Sequence, residues 1–469
     1  MADNREYKLF QHQIKAIQGC MVHHFRLIYR LPGTGKTLIA VELIKRQLQT
    51  KHNSLILWLG PANLVIQYEK VFNVQNIPFH PFNPKIDHNI SGICVFASYE
   101  MFRLHSDYFL SKDWDCVICD EFHKAKSDTT QINSALKSLR KKSRHFWAFT
   151  GTPFQNSPYE FFELLNVIAG KNISFACEST LQYQRPKSSF LRNFLGRLGF
   201  RVKRLNQGPI MGVSQPQRLH DLVYDYIDYI SPEEYMHECH LPAINEQVRL
   251  VTLSHTEVEA YKKVLKTYRK KREKEFFNDC LTDEQVETAF NNLAELRQSL
   301  LSAKDKASSK ILACAEDIDK VLYDRNNRVL VFSNFVKNGL EQMADILRTQ
   351  HISFSLYDGN TTVQQRKSII NDYFSGRIPL MLISPVGFEG LDLYGTTHIF
   401  VLDPHFNPER TLQLVSRAIR AFSNVKTINV VHYVATSEEL KHPSIDEMIL
   451  KISECKKKLA KIIESCLID

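Results

Sequence analysis

Short apolar runs alternate with amphipathic stretches in two parts of this chain, and the alternation breaks off between them. In the first part the runs are Leu55–Leu59, Ile93–Ala97, Cys116–Cys119 and Phe146–Thr150, preceded by the mostly apolar stretch Phe25–Tyr29. In the second they are Val329–Ser333, Phe354–Tyr357, Leu380–Ser384, His398–Leu402 and Thr427–Val434. Runs that are apolar throughout suit strands buried on both faces, and amphipathic segments between them suit the helices covering a parallel sheet. Each part therefore predicts an α/β layer. Between them, over about residues 171–310, long charged segments take over. Glu257–Phe277 and Asp283–Ser302 carry helical periodicity, and Ser444–Leu467 reads as a Lys-rich amphipathic helix. The expected organisation is an α/β domain over 1–170, a helical insertion over 171–310, a second α/β domain over 311–436 and a terminal helix over 437–469.

With 469 residues, 43% hydrophobic and 24% charged, the chain is long enough for two or three domains with full cores, and it is not disordered. No apolar run approaches the roughly 18 residues that would cross a bilayer. The start, Met1 to Glu6, is polar and lacks the apolar core of a signal peptide. The expected setting is intracellular and away from membranes: the nucleus for a eukaryotic or nucleus-replicating viral source, the cytoplasm otherwise. A net charge of +9 suits a polyanionic partner without demanding one. The ten cysteines are scattered through apolar stretches, which predicts reduced, buried thiols. Cys116 and Cys119 have redox-motif spacing but lie within an expected strand, so core packing is their reading. His237, Cys239 and His240 are crowded, yet no second ligand pair stands at finger-like spacing.

Chemistry concentrates at Arg30-Leu31-Pro32-Gly33-Thr34-Gly35-Lys36-Thr37, between an apolar stretch and a helical one. Glycines there let backbone N–H groups surround a polyphosphate, Lys36 reaches its β- and γ-phosphates, and the Thr37 hydroxyl can ligate Mg²⁺. A plain Gly-rich turn would explain the glycines but not Gly-Lys-Thr at a strand-to-helix junction. Arg30 stands where the commonest form of this loop has its first glycine. After the next chemical strand come Asp120 and Glu121, two acids placed to hold Mg²⁺ and orient an attacking water, with Glu121 the better base. Thr150-Gly151-Thr152-Pro153 follows another strand, and its hydroxyls could report nucleotide state.

Taken in order, these motifs resemble the helicase superfamily 2 motor, above all its Swi/Snf-type branch of DNA-dependent ATPases. Leu9-Phe10-Gln11-His12-Gln13 resembles the upstream segment whose Gln, here Gln13, contacts adenine. Residues 59–68, with Pro61, and Ala97-Ser98-Tyr99-Glu100 resemble backbone-contacting segments. Thr150 to Asn156 is the most branch-specific match. In the second part, Arg328 to Phe335, with Ser333, resembles the opening strand of the second motor domain. Val386 to Leu393, with Gly390 and Asp392, resembles the loop linking ATP to the polymer, although Phe388 stands where Gly is usual. Gln413 then precedes Arg417 and Arg420, which lie three apart and share a helix face. The run Ala421-Phe422-Ser423 departs from the Gly-Gln of remodelling enzymes and is closer to short members from large DNA viruses, of poxvirus nucleoside triphosphatase and baculovirus transactivator type.

The resemblance implies two RecA-like parallel-sheet domains, with ATP and Mg²⁺ as cofactors. It assigns Gln13, Pro32, Gly33, Thr34, Gly35, Lys36, Thr37, Gly390, Asp392 and Gln413 to the nucleotide, and Thr37 and Asp120 to the metal. Lys36, Asp120, Glu121, Arg417 and Arg420 would act in catalysis. Pro61, Ser98, Tyr99, Asn156 and Ser333 would face nucleic acid. The implied activity is ATP-driven translocation on double-stranded DNA in remodelling or transcription, with a protein of a transcription or DNA-processing complex as further partner. Two alternatives stay open: a helicase separating DNA or RNA strands, and a transcription-complex clamp with weak hydrolysis.

Overall fold

The computed structural model describes residues 9–31, 33–85, 91–125, 131–151, 158–183, 201–202, 210–272, 276–277, 293–303, 306–388, 391, 393–419 and 424–468. The chain folds as two compact units. One comprises residues 1–181, 212–240 and 460–469, the other residues 182–211 and 241–459.

The first unit is built on a seven-stranded sheet. Its strands are β1 (Phe25–Tyr29), β2 (Ile56–Gly60), β3 (Phe79–Pro81), β4 (Cys94–Ser98), β5 (Trp114–Cys119), β6 (Ser143–Thr150) and β7 (Ile227–Tyr229). They run parallel in the order β7-β1-β6-β5-β2-β4-β3. Ile28, Trp58, Phe96, Ile118 and Trp147 enter one core with Ala16 and Ile17 of the helix Gln11–Val22 and Ile39 and Leu43 of the helix Lys36–Thr50. Cys116 and Cys119 are fully buried in β5, and burial pushes both thiols far up, so they pack rather than react.

The second unit holds a six-stranded sheet of β8 (Ala243–Thr252), β9 (Val329–Phe332), β10 (Ser355–Tyr357), β11 (Leu380–Ile383), β12 (His398–Val401) and β13 (Thr427–Thr436). The order is β8-β13-β12-β9-β11-β10, again parallel. Strand alternation divides its residues between two cores. Val329 and Val331 face the helix Ser309–Leu322 through Ile311 and Ile318, while Leu330 and Phe332 face the helix Pro408–Ala418 through Leu414 and Val415. Each such large side chain, fully buried, contributes about 1.5–3 kcal/mol. Two parallel α/β layers are thus present, as the hydrophobic pattern predicts, and they match the two RecA-like domains that the resemblance implies.

The inserted stretch does more than the expected helices. It supplies β7 to the first sheet and the ten-residue β8 to the second, neither of which the apolar pattern marks. The helix expected over Glu257–Phe277 spans His255–Arg272. Of the helix expected over Asp283–Ser302, the described residues show only Ala294–Gln298. The chain turns after Gln298 because Leu300 enters a core with Ile445 and Ile449, whereas Leu301 enters another with Ile311 and Leu340. The terminal helix, Ile445–Glu464, matches its expectation closely.

The inserted stretch and its continuation are also fastened by buried charge. Lys310 Nζ meets Asp446 Oδ2 at 2.5 Å, with both side chains 0% exposed, and the same oxygen accepts the Ala435 N–H. Removing one member of such a pair strands a charge in a medium that solvates it poorly, at about 3–5 kcal/mol. Lys310→Met should therefore lower the unfolding free energy by an amount of that order, seen as a lower urea midpoint, and adding Asp446→Asn should recover part of the loss. Equilibrium unfolding followed by tryptophan-independent far-UV circular dichroism measures both.

Candidate functional site

The phosphate loop leaves β1 and enters the helix at Lys36. Gly33 and Gly35 have φ of 85° and 76°, the left-handed region that suits glycine. A Cβ on Gly35 would lie 2.4 Å from Gln13 Nε2, so a larger residue would have to displace the Gln13 amide as well as adopt a strained backbone. Gln13 is 3% exposed; its Nε2 donates to the Thr34 carbonyl at 3.2 Å and its Oε1 accepts the Phe10 N–H at 2.9 Å. Here the Gln13 amide supports the loop. Lys36 Nζ donates to the Arg30 and Leu31 carbonyls at 3.1 and 3.2 Å. Thr34 is buried, with its hydroxyl donating to Leu31 O at 2.8 Å, and Thr37 is half-buried one residue into the helix.

Arg30 does not contribute to the cradle. Its guanidinium, 2% exposed, turns to the edge strand β7 and binds Asp228 through Oδ2 at 2.6 Å and the carbonyl at 3.0 Å. The residue that replaces the usual glycine thus ties the loop's entry to the insertion. The helix Pro232–Cys239 does the same from the other side. Tyr235 donates its hydroxyl to Gly33 O at 3.0 Å, and Glu238 accepts both the His12 N–H at 3.1 Å and the His12 Nδ1–H at 3.0 Å. Sequence reasoning missed Tyr235, Glu238 and Asp228, since nothing local marks residues that act only by reaching a loop some 200 positions away.

Asp120 and Glu121 directly follow β5. Asp120 is 7% exposed; its Oδ2 accepts the Tyr68 hydroxyl at 2.8 Å, its Oδ1 the Glu121 N–H at 2.9 Å, and its carbonyl the Tyr99 hydroxyl at 2.8 Å. Burial first, and then the charge of Glu121, push its carboxyl up to about 6 against the pull of Tyr68 and the Lys36 ammonium. Glu121 sits at φ 50°, a costly conformation for a side-chain-bearing residue that turns its carboxylate off the strand. There His123 Nδ1 lies 3.4 Å from Glu121 Oε2 and 3.3 Å from Thr150 Oγ1. His123 therefore links the acid pair to the Thr150 segment, a role its place in Asp-Glu-Phe-His hinted at but did not define.

This set fits a magnesium nucleotide. Two adjacent carboxylates under-neutralised by their surroundings suit a divalent cation, and a glycine cradle beside an ammonium suits a polyphosphate. Bound there, the magnesium ion would neutralise phosphate charge, with Thr37 and Asp120 as its holders. Of the remaining residues expected at the nucleotide or in catalysis, Gln413 and Arg417 are half-buried on the helix Pro408–Ala418, whose Arg417 carbonyl accepts the Leu393 N–H at 2.8 Å. Pro32, Gly390, Asp392 and Arg420 lie outside the described residues.

The described residues among those expected to face nucleic acid are buried. Pro61 is buried. Ser98, 6% exposed, caps the helix Tyr99–Leu104 by accepting the Met101 N–H at 3.1 Å. Tyr99, 1% exposed, is held by Asp120, and Ser333, 0% exposed, donates to Asp403 at 2.6 Å. These side chains shape their loops from within, because a hydroxyl at the end of a buried strand must find an acceptor inside. The open positions in those segments are neighbours such as Asn63, Gln67 and Glu100. Asn156 lies outside the described residues.

The Asp120 carboxyl has a pH signature. Below its ordinary value of 3.8 the proton is on the group in folded and unfolded chains alike; from there to about 6 only the folded chain holds it. Stability from this group is therefore present at low pH and declines as pH rises through that window. Thermal unfolding of the unliganded chain from pH 4 to 7 should show this decline in the wild type, and Asp120→Asn should flatten it. Parallel curves for the two proteins would refute the assignment.

Three family models match the chain: a SNF2-related domain over residues 82–305, a helicase conserved C-terminal domain over 310–422, and the res subunit of type III restriction enzymes over 6–155. A protein of Acanthamoeba polyphaga mimivirus described as an ATP-dependent RNA helicase is 24% identical, over 98% of this chain and 97% of its own. The RAD54-like DNA repair and recombination protein of Drosophila erecta and the CHROMATIN REMODELING 25 protein of Arabidopsis thaliana are each 25% identical over 79% of this chain. The chain spans about half the length of those two, 48% and 43%. The solved SWI2/SNF2 ATPase core of Sulfolobus solfataricus in complex with dsDNA aligns over 99% of this chain and 95% of its own at 17% identity, with a TM-score of 0.42 that adds nothing to the fold read from the sheets. With the loop at Gly33–Thr37, the acids at Asp120–Glu121 and the ordered motifs of the second domain, the chain belongs to the Swi/Snf-type branch of helicase superfamily 2, the DNA-dependent ATP hydrolases.

Proposed function

We propose that this ATPase is a motor that moves along double-stranded DNA by gripping phosphates, without needing to part the strands. The observation that carries the reading is that the loop bearing Lys36 and the acid Asp120 follow β1 and β5 of one parallel sheet, near enough for the ammonium to act on the carboxyl, in a chain of the SNF2-related family. The RAD54-like and chromatin-remodelling relatives support duplex DNA as the track. In this reading Lys36 and the loop N–H groups hold the β- and γ-phosphates. Asp120 and Thr37 hold Mg²⁺, while Glu121, with His123 against its carboxylate, takes a proton from the attacking water. Arg417 and Arg420 meet the γ-phosphate as the domains close; stabilisation of that kind is worth about 10³–10⁵ in rate in related NTPases. Repeated closing and opening advances the protein, and a transcription or DNA-processing complex is the proposed setting.

A second reading, an RNA-directed helicase, is favoured by the description of the mimivirus relative. ATP hydrolysis titrated with duplex DNA, single-stranded DNA and RNA across a salt series separates the two. Duplex DNA should stimulate most, and its apparent affinity should fall steeply as salt rises, since phosphate contacts release counterions. Greater stimulation by RNA would move the assignment to the second reading.

Lys36→Ala should lower turnover by at least about 100-fold while filter-measured DNA binding stays within about threefold. Full hydrolysis in that variant would overturn the site.

A further inference from the structure

The helix Ala294–Gln298 belongs to the inserted stretch, and one of its side chains ends at the carboxyl edge of the second sheet. Arg297 is 7% exposed; its Nη2 donates to Asp403 Oδ2 at 3.1 Å and to Pro404 O at 2.9 Å, and its guanidinium lies 4.9 Å above the Phe335 ring. Asp403, 0% exposed, follows β12. Its Oδ1 accepts the Ser333 hydroxyl at 2.6 Å and the Asn334 N–H at 3.1 Å, and its Oδ2 accepts Asn334 Nδ2 at 2.6 Å. Ser333 and Asn334 follow β9, the neighbour of β12 in the sheet. A second thread runs from the same helix: Asn338 Nδ2 donates to Gln298 Oε1 at 2.7 Å from the π-helical turn Val336–Glu341. There Gly339 packs so closely that a Cβ would lie 2.3 Å from Ser333 Oγ.

One carboxylate therefore holds the ends of two adjacent strands, and the cation that neutralises it comes from the insertion. Beyond β9 lies the segment Ser333–Phe335. Beyond Asp403 lies the turn Pro404–Pro408, which opens the helix bearing Gln413 and Arg417. A buried carboxylate with its cation removed must take up a proton or draw its remaining donors into new positions, and either change moves both segments together.

We propose that Arg297 is a positioning residue of the motor: through Asp403 it locks the Ser333–Phe335 segment to the turn that carries Arg417, so that nucleic acid engaged by the second domain accelerates hydrolysis. The proposal rests on the reading above that nucleic acid stimulates this ATPase. The partners of Arg297 Nη2 are Asp403 and Pro404 of the second unit, so its loss should uncouple stimulation rather than stop chemistry.

The experiment is steady-state ATP hydrolysis by the full chain, with and without saturating duplex DNA, for Arg297→Gln and Arg297→Lys. Arg297→Gln should leave the DNA-free rate within about threefold, lower the DNA-saturated rate by at least about tenfold, and change the half-saturating DNA concentration by less than about threefold. Arg297→Lys keeps the charge without the fork; it should show the same split, smaller, and it stands in if the Gln variant does not fold. Asn334→Ala acts on the same carboxylate, so combining it with Arg297→Gln should cost no more in stimulated rate than the worse single change. Equal loss of basal and stimulated rates, weakened DNA half-saturation alone, or independent addition of the two changes would each overturn the proposal. A wild-type chain that duplex DNA, single strands and RNA all fail to stimulate overturns the motor reading itself, and the coupling role with it.

Discussion

A carboxylate at the end of a strand buried on both faces has lost its water and must be compensated by whatever the fold brings near. Asp120 in the first unit and Asp403 in the second are such groups, and they are treated differently. Asp120 receives a tyrosine hydroxyl, a backbone N–H and the distant pull of Lys36, while Glu121 beside it adds like charge. It remains short of positive charge, which is the condition under which a divalent cation binds. Asp403 receives a hydroxyl, two groups of Asn334 and the guanidinium of Arg297. Its burial still raises the carboxyl, but it has a guanidinium beside it where Asp120 has a second carboxylate, and it acts as a joint rather than a metal ligand.

The inserted stretch is part of the machinery of both units. In the first it contributes an edge strand, two fastenings to the phosphate loop, Asp228 on Arg30 and Tyr235 on Gly33, and a third, Glu238, to His12 of the helix beside that loop. In the second it contributes an edge strand and Arg297. It also contributes Glu257, whose carboxylate accepts the N–H groups of Ser254 and Ser309 at 2.7 Å each and so joins the starts of two helices. These contacts are polar and at least partly buried, so geometry at the loop and at Asp403 is specified more tightly than apolar packing alone would do.

Much of the fold was legible along the chain because parallel strands buried on both faces are written as continuous apolar runs. Val329–Phe332, Leu380–Ile383 and His398–Val401 each fall within a residue of expectation. The strand β8 was not legible: it is an edge strand with most of its residues exposed, so Asn245, Glu246 and Gln247 dilute the apolar signal. The helix expected to reach Ser302 failed for a related reason, since neighbouring leucines looked like one stripe but enter two cores. At the site, the loop glycines and Lys36 were readable from local chemistry. The burial of Tyr99 and Ser333 was not, because polar residues after a strand read alike whether they face solvent or an internal acceptor.

By itself, the order of residues determined two parallel α/β layers, a phosphate-binding loop and an acid pair at the end of a strand, because these depend on runs of neighbours and on backbone freedom at fixed glycines. Only the tertiary structure decided where Arg30 spends its charge, what holds the loop in place, and that Arg297 and Asp403 meet. Those outcomes turn on distances between residues far apart in the chain, where desolvation makes each unpaired charge costly and leaves few arrangements that satisfy them all.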